Sequence, residues 1–147
     1  MTSFARVRPV LAAGLLVLAA GCDNGSSSPT APDQSSVAYS QIDLTVGTGA
    51  EAATGKTVVV QYIGWLYSEN GADHKGAQFD SGQLQPFVVG SGTLIRGFEM
   101  AVTGMKVGGV RRAIIPPSLA YGATGNPSAN IPPNAAVVFE IALGIVQ

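Results

Sequence analysis

The chain of 147 residues has one cysteine, one histidine and one tryptophan. A single cysteine excludes an intrachain disulfide. His74 has only Asp73 beside it, which is short of the donor set a metal centre needs. Charge is also scarce, with eight Lys and Arg against nine Asp and Glu. The basic residues are scattered, whereas a nucleic-acid surface needs a basic stripe. The one basic pair, Arg111 and Arg112, reads as the exposed side of a strand. There is no Ser-His-Asp set, no G-x-S-x-G elbow and no phosphate-binding glycine loop. Hydrolase and nucleotide chemistry therefore have no candidates, and no metal or other cofactor is expected. No internal repeat and no long amphipathic helix is visible. No apolar run reaches the roughly 20 residues that cross a bilayer as a helix.

What is present begins at the N-terminus. Arg6 and Arg8 form a basic start, residues 10–20 are unbroken apolar, and Gly21 and Cys22 follow. That length and those flanks predict a secretory signal peptide over residues 1–21. The run "AAGC" before and at Cys22 resembles a bacterial lipobox, with Ala19 where leucine is usual. The resemblance implies that Cys22 is lipidated and becomes the new N-terminus. Ordinary cleavage leaving a free thiol is the alternative. Acyl chains contribute about 0.8 kcal/mol per buried CH₂, so the protein would be exported and held at a cell-envelope membrane. Removing Arg6 and Arg8 leaves six basic against nine acidic side chains, a net charge of −3. Residues 22–37 are almost wholly Ser, Pro, Gly, Asp and similar residues. Such a segment cannot bury enough surface to offset its ordering entropy, so it reads as a flexible tether. Residues 38–147 are then one domain of ordinary size.

Within that domain, residues 57–67 are rich in β-branched and aromatic side chains and predict a strand. Residues 137–146 alternate bulky apolar with small or polar side chains, the pattern of an antiparallel strand with one covered face. Residues 110–115 predict a third strand, stopped by Pro116 and Pro117, and residues 39–46 and 87–89 two shorter ones. The polar, glycine-rich run "SENGADHKG" reads as a loop carrying a solvated His74. One short helix is predicted over residues 95–102, with Phe98 and Val102 on one face. These elements make an α+β domain, mostly antiparallel sheet with one short helix. The loop over residues 121–133, "YGATGNPSANIPP", is longer than a connector needs to be. It carries three prolines and sets Tyr121 at its mouth, as a functional loop on a rigid scaffold would.

Four stretches, "VVVQYIGWL", "QFDSG", "GTLIRGFEMAVTGMKVGGVRRAIIPPSLAYGATG" and "IPPNAAVVFEI", together resemble the FKBP family of macrolide-binding peptidyl-prolyl isomerases. The resemblance spans essentially the whole folded domain and implies an antiparallel sheet wrapped around one short helix. It also implies a shallow apolar pocket that accepts a proline ring. Carried over residue by residue, Tyr62 lines one side, with Phe79 and Asp80 beside it. Leu94 and Ile95 form a wall, and the Ile95 N–H bonds a substrate carbonyl. Phe98 is the floor, Tyr121 overhangs the rim and offers its hydroxyl, and Ile131 and Phe139 close the far side. Phe87 aligns with the second of two family phenylalanines, leaving Leu84 or Gln85 near the first. The chain departs from the family where Phe98 replaces the frequent tryptophan and Asn126 the frequent histidine. It also has a shorter stretch after Asp80, which lacks an arginine partner.

The resemblance implies an exported isomerase that speeds proline-limited folding, acting on proline-containing polypeptides. It also implies affinity for macrolides of the FK506 and rapamycin kind. The departures after Asp80 keep open a module or chaperone that binds proline segments with little turnover. A lipoprotein using the fold only as a spacer is the third reading. With no dimerisation helix in view, a monomer is expected.

Overall fold

The computed structural model describes residues 32–147. The expected leader, Cys22 and the tether up to residue 31 lie outside the described residues. The elements are β1 (Ser40–Thr45), β2 (Thr57–Tyr67), β3 (Lys75–Gln83), β4 (Phe87–Val88), α1 (Arg96–Val102), β5 (Val110–Ile115) and β6 (Val137–Val146). The sheet runs β1-β5-β6-β2-β3, with β4 also paired to β2. Every pairing is antiparallel. The sheet's inner face and α1 enclose one core, containing Val58, Val60, Phe98, Val102, Ile115, Phe139, Ile141 and Leu143. This is the α+β architecture the sequence predicts, and β2, β5 and β6 fall on the predicted residues.

Two strands depart from the expected pattern. β3 begins at Lys75, inside the stretch read as a loop, where Tyr67 pairs with Lys75. It is an edge strand held by β2 alone and mostly exposed, so its sequence needs no apolar face. In β6 the alternation breaks near its end. Val60 pairs with Leu143 but Val59 with Ile145, so Gly144 is an extra residue and the facing reverses beyond it. Ile145, expected on the covered face, is consequently exposed.

Helix α1 lies very close to the sheet because Gly97 allows it. A β-carbon there would overlap the γ2 methyl of Ile115. The helix's C-terminal end is held by Arg111. Adjacent residues of a strand face opposite ways, so Arg111 and Arg112 cannot share an exposed side. Arg111 points inward, is only 8% exposed, and donates from Nη1 to the carbonyls of Ala101 (2.9 Å) and Thr103 (3.1 Å). Its Nε and Nη2 grip both oxygens of Asp43 on β1 at 2.6 and 3.2 Å. That hydrogen bonding holds the Asp43 carboxyl below its ordinary value. Arg112 points outward but is not free, since it pairs with Glu140 at 2.9 Å and Asp73 at 2.8 Å. His74 is exposed, as expected, and its ring stacks on Tyr67 at 5.2 Å.

The segment ahead of β1 also differs from expectation. Gln34, read as part of the tether, is half-buried and bonded to Tyr67, Asn134 and Ala136. Composition says nothing of this, because one side-chain amide supplies both a donor and an acceptor to the open end of the sheet.

Gly97→Ala adds a methyl where Ile115 already stands. It is expected to lower the stability of the fold by about 1–3 kcal/mol, read as a lower urea midpoint with unchanged slope. An unchanged midpoint would show that the helix can ride further from the sheet.

Candidate functional site

The site grows from a cluster of aromatic rings between α1 and the sheet. Phe98, buried on α1, meets Phe139 of β6 edge-on at 5.2 Å, and Tyr62 of β2 packs edge-on against Phe98 at 6.0 Å. Phe79 of β3 meets Phe139 from behind at 5.6 Å. Gly64 makes room for that pair, since a β-carbon there would fall 2.7 Å from Phe79 and 2.8 Å from Phe139. Edge-to-face pairs are the favoured geometry for aromatic rings, so the cluster is rigid as well as apolar.

Over this floor opens a cavity of about 280 Å³. It is lined by Tyr62, Asp80, Leu84, Thr93, Leu94, Ile95, Phe98, Tyr121 and Phe139. Seven of the ten expected site residues of the folded domain are brought together there: Tyr62, Asp80, Leu94, Ile95, Phe98, Tyr121 and Phe139. Three are not. Phe79 stands behind Phe139. Phe87 is buried in the core at 7% exposure, 6.5 Å from Phe98. Its strand β4 pairs with Thr57 and Val58, far along β2 from Tyr62, which puts Phe87 beneath the cavity. Ile131 is 2% exposed and is a core residue that pins the loop. Leu84 stands at the wall that Phe87 was expected to share, and Thr93 was not anticipated at all. Cys22, the expected lipidation site, lies outside the described residues.

The polar groups are few. The Tyr62 hydroxyl donates to Asp80 Oδ2 at 2.6 Å, and the Ser81 N–H donates to Asp80 Oδ1 at 2.8 Å. Among the described residues, no arginine meets this carboxylate. Two donors on the rim are unspent: among the described residues, neither the Ile95 N–H nor the Tyr121 hydroxyl has a hydrogen-bond acceptor. Burial, the bond to Asp80 and the charge of Asp80 push the Tyr62 phenol up to about 12. Burial, and then the charge of Asp80, also raises Tyr121. Both phenols therefore stay protonated, as donors, at any ordinary pH.

The walls are held from outside the cavity. Glu99, the buried carboxylate of α1, accepts the N–H groups of Gly92 and Leu94, both at 3.3 Å, and so fixes the turn that presents Leu94 and Ile95. Sequence reasoning passed over it, though "GFE" sets an acid on the helix directly after the floor residue. Across the cavity, the loop over residues 121–133 closes on itself. Asn126 and Ile131 exchange two backbone bonds of 2.9 Å around a 3₁₀ turn at Pro127–Ala129, and Asn134 bonds the Gly122 carbonyl at 3.0 Å.

An apolar hollow with an aromatic floor, two idle donors and no nucleophile–base pair defines a binder of a mostly apolar ring flanked by carbonyls. Comparison with known proteins makes the class specific. The family model for the FKBP-type peptidyl-prolyl cis-trans isomerase matches residues 49–144, and the chain belongs to that family. It is 42% identical over 110 residues to the FK506-binding protein 1B of Neurospora crassa, covering 73% of this chain and 96% of that protein. It is 45% identical over 109 residues to the 39 kDa FK506-binding nuclear protein of Drosophila melanogaster, covering 72% of this chain. The match spans only 29% of that larger relative, and 26% of the FK506-binding protein 4 of Dictyostelium discoideum. Among solved structures, a peptidyl-prolyl cis-trans isomerase from Pseudomonas syringae superposes with a TM-score of 0.60 at 32% identity, covering 82% of this chain and 84% of that one. FkpA from Escherichia coli gives 0.61 at 33% identity, covering 78% and 50%.

The Tyr62–Asp80 pair is testable by spectrophotometric phenol titration. A raised phenol favours the neutral side chain in the folded state, so the pair's support is complete below pH of about 10 and lost as pH rises through about 12. The parent should show a tyrosinate component near 12 that is missing in Tyr62→Phe and moved down in Asp80→Asn. The same component in Asp80→Asn at its parental position would exclude the carboxylate as its cause.

Proposed function

We propose that the protein is a peptidyl-prolyl cis-trans isomerase acting on proline-containing segments of exported polypeptides. The observation that carries this reading is the pair of idle donors, Ile95 N–H and Tyr121 O–H, on residues that line one aromatic-floored hollow. Rotation about an Xaa–Pro bond is slow because amide resonance must be broken, a barrier near 20 kcal/mol. No covalent step is needed. Seated on Phe98, a proline ring is gripped while the preceding carbonyl turns out of plane. A carbonyl accepting from Ile95 or Tyr121 is held in the twisted form better than in either planar form, which is differential binding of the transition state. The twisted amide has less charge separation, so the apolar walls of Leu94, Tyr62 and Phe139 cost it little. A ~10⁵-fold acceleration asks for only about 7 kcal/mol. Asp80 acts through Tyr62, fixing the ring that forms one side, and its field lies along the cavity. The same hollow suits macrolides of the FK506 kind, in keeping with the names of the relatives.

Binding of proline segments with little turnover is the second reading. It is favoured by Leu84 at a wall where the family sets a phenylalanine, and by an Asp80 that has no arginine partner. Export and lipidation at Cys22 complete the proposal. They are supported by the basic start, apolar run and "AAGC" of residues 1–22, all ahead of the region the family model matches.

Isomerisation of Xaa–Pro peptides separates the two readings. The parent should exceed the uncatalysed rate by several orders of magnitude. Tyr121→Phe should lower kcat/KM by roughly 3–10-fold, the scale of one lost hydrogen bond. Binding without turnover, from protein shown to be folded, would establish the second reading instead.

For the anchor, the full-length chain expressed in a bacterial host should fractionate with membranes, and Cys22→Ala should release it. Membrane retention of Cys22→Ala would sink the lipid anchor.

A further inference from the structure

Tyr121 can serve as a rim donor only if the lip that carries it is fixed to the sheet. The lip's internal bridge between Asn126 and Ile131 gives it shape but does not attach it. One attachment is the Gly122 N–H to the Pro117 carbonyl at 2.8 Å. Another runs through Asn134, whose N–H bonds the Gly122 carbonyl at 3.0 Å and whose own carbonyl accepts the N–H of Gln34 at 3.1 Å. Tyr121, Gly122, Asn134 and Gln34 thus form one connected line from the rim to the segment ahead of β1.

Gln34 does more than end that line. Its Oε1 accepts the Ala136 N–H at 2.8 Å and its Nε2 donates to the Tyr67 carbonyl at 3.1 Å. The Tyr67 N–H in turn donates to the Ala136 carbonyl at 2.9 Å. The side-chain amide therefore acts as an extra rung between the end of β2 and the start of β6. Ala136 is fully buried and its N–H has no other acceptor among the described residues. Without Gln34 that donor is stranded, since a buried N–H must be paired. Gln34 is itself set by a tight turn, with Val37 N–H on its carbonyl at 3.1 Å and Ser35 N–H on Asp33 Oδ1 at 2.9 Å.

We propose that Gln34 is a positioning residue for Tyr121. It clasps residues 134–136 to the end of β2 and so holds the base of the lip. The segment ahead of β1 is thereby coupled to the rim that carries Tyr121. Gln34 itself lies outside residues 49–144, the reach of the family match, and the proposal rests on the isomerase reading of the cavity. It implies that displacing residues 33–37 lowers turnover without touching the cavity.

The test compares the full chain with Gln34→Ala and Gln34→Glu, the latter keeping the acceptor for Ala136 and losing the donor to Tyr67. Three readouts are taken well below the unfolding temperature: amide hydrogen exchange at Gly122, Asn134 and Ala136, peptide affinity, and Xaa–Pro turnover. Gln34→Ala should speed exchange at all three amides and lower kcat/KM by roughly 3–10-fold, the scale of one or two lost hydrogen bonds. Gln34→Glu should fall between it and the parent. Unchanged exchange at Gly122 would show that the clasp does not reach the lip. Faster exchange with parental turnover would make Gln34 structural only, and either result overturns the proposal. If the parent itself lacks turnover, the isomerase reading is what fails. Coupling is then decided by exchange at Gly122 and by peptide affinity.

Discussion

The contact on which the rest depends is Phe98 against Phe139, edge to face at 5.2 Å. It joins α1 to a central strand, and the same ring is both core and cavity floor. The pairing exists because Gly97 lets α1 descend onto Ile115, bringing Phe98 within reach of the sheet. It is framed from behind by Phe79, admitted by Gly64, and from below by Phe87. A cavity built this way is as rigid as the core beneath it. The cost is that no ring can be altered for binding without disturbing packing. Variation in specificity is left to the walls, where Leu84 and Thr93 stand.

The electrostatic character of the site follows from how little charge is admitted. Asp80 is the one acidic or basic side chain in the cavity lining among the described residues, and both of its oxygens are occupied, by the Tyr62 hydroxyl and the Ser81 N–H. A carboxyl group satisfied in this way is held in one orientation by its two donors. The two phenols are pushed toward staying neutral by burial and by that same charge. The site therefore holds hydrogen-bond donors that do not titrate in the working range. That suits a reaction which breaks no bond and moves no proton.

Much of this was legible in the sequence where one physical signal dominated. β2, β5 and β6 announce themselves by β-branched and alternating residues, because both their neighbours and their burial demand them. Seven cavity residues follow from motif positions in short, ungapped stretches. The failures have separate causes. β3 carries no apolar face because it is an exposed edge, so periodicity has nothing to report. Phe87 is expected in the lining and Leu84 is left level with Gln85, because a shortened segment leaves the alignment of a bulge ambiguous, and only strand pairing puts Phe87 in the core and Leu84 at the wall. Arg111 was read as surface because a charged residue rarely faces inward, and its true partners, two helix-end carbonyls and Asp43, are distant in sequence. Gln34 was assigned to the tether because composition describes a segment's average, whereas one amide suffices to dock it.

Glu99 and Gln34 play parallel parts in the backbone that surrounds the site. Each is a polar side chain outside the lining that ties down backbone amides: Gly92 and Leu94 for Glu99, Ala136 for Gln34. Glu99 thereby satisfies the backbone beside Ile95 while leaving the Ile95 N–H unspent, and Gln34 satisfies the Ala136 N–H at the start of β6. A loop whose amides were all bonded internally could be equally stiff, but it would have nothing to offer a ligand. A loop with free amides and no outside tie would lose its preorganisation to conformational entropy. Borrowing a carboxylate and a carboxamide from neighbouring elements resolves that conflict. On the proposed reading of the site, this would leave Ile95 and Tyr121 both held and available, the condition a twisted amide needs if its carbonyl is to be bound at no cost in reorganisation.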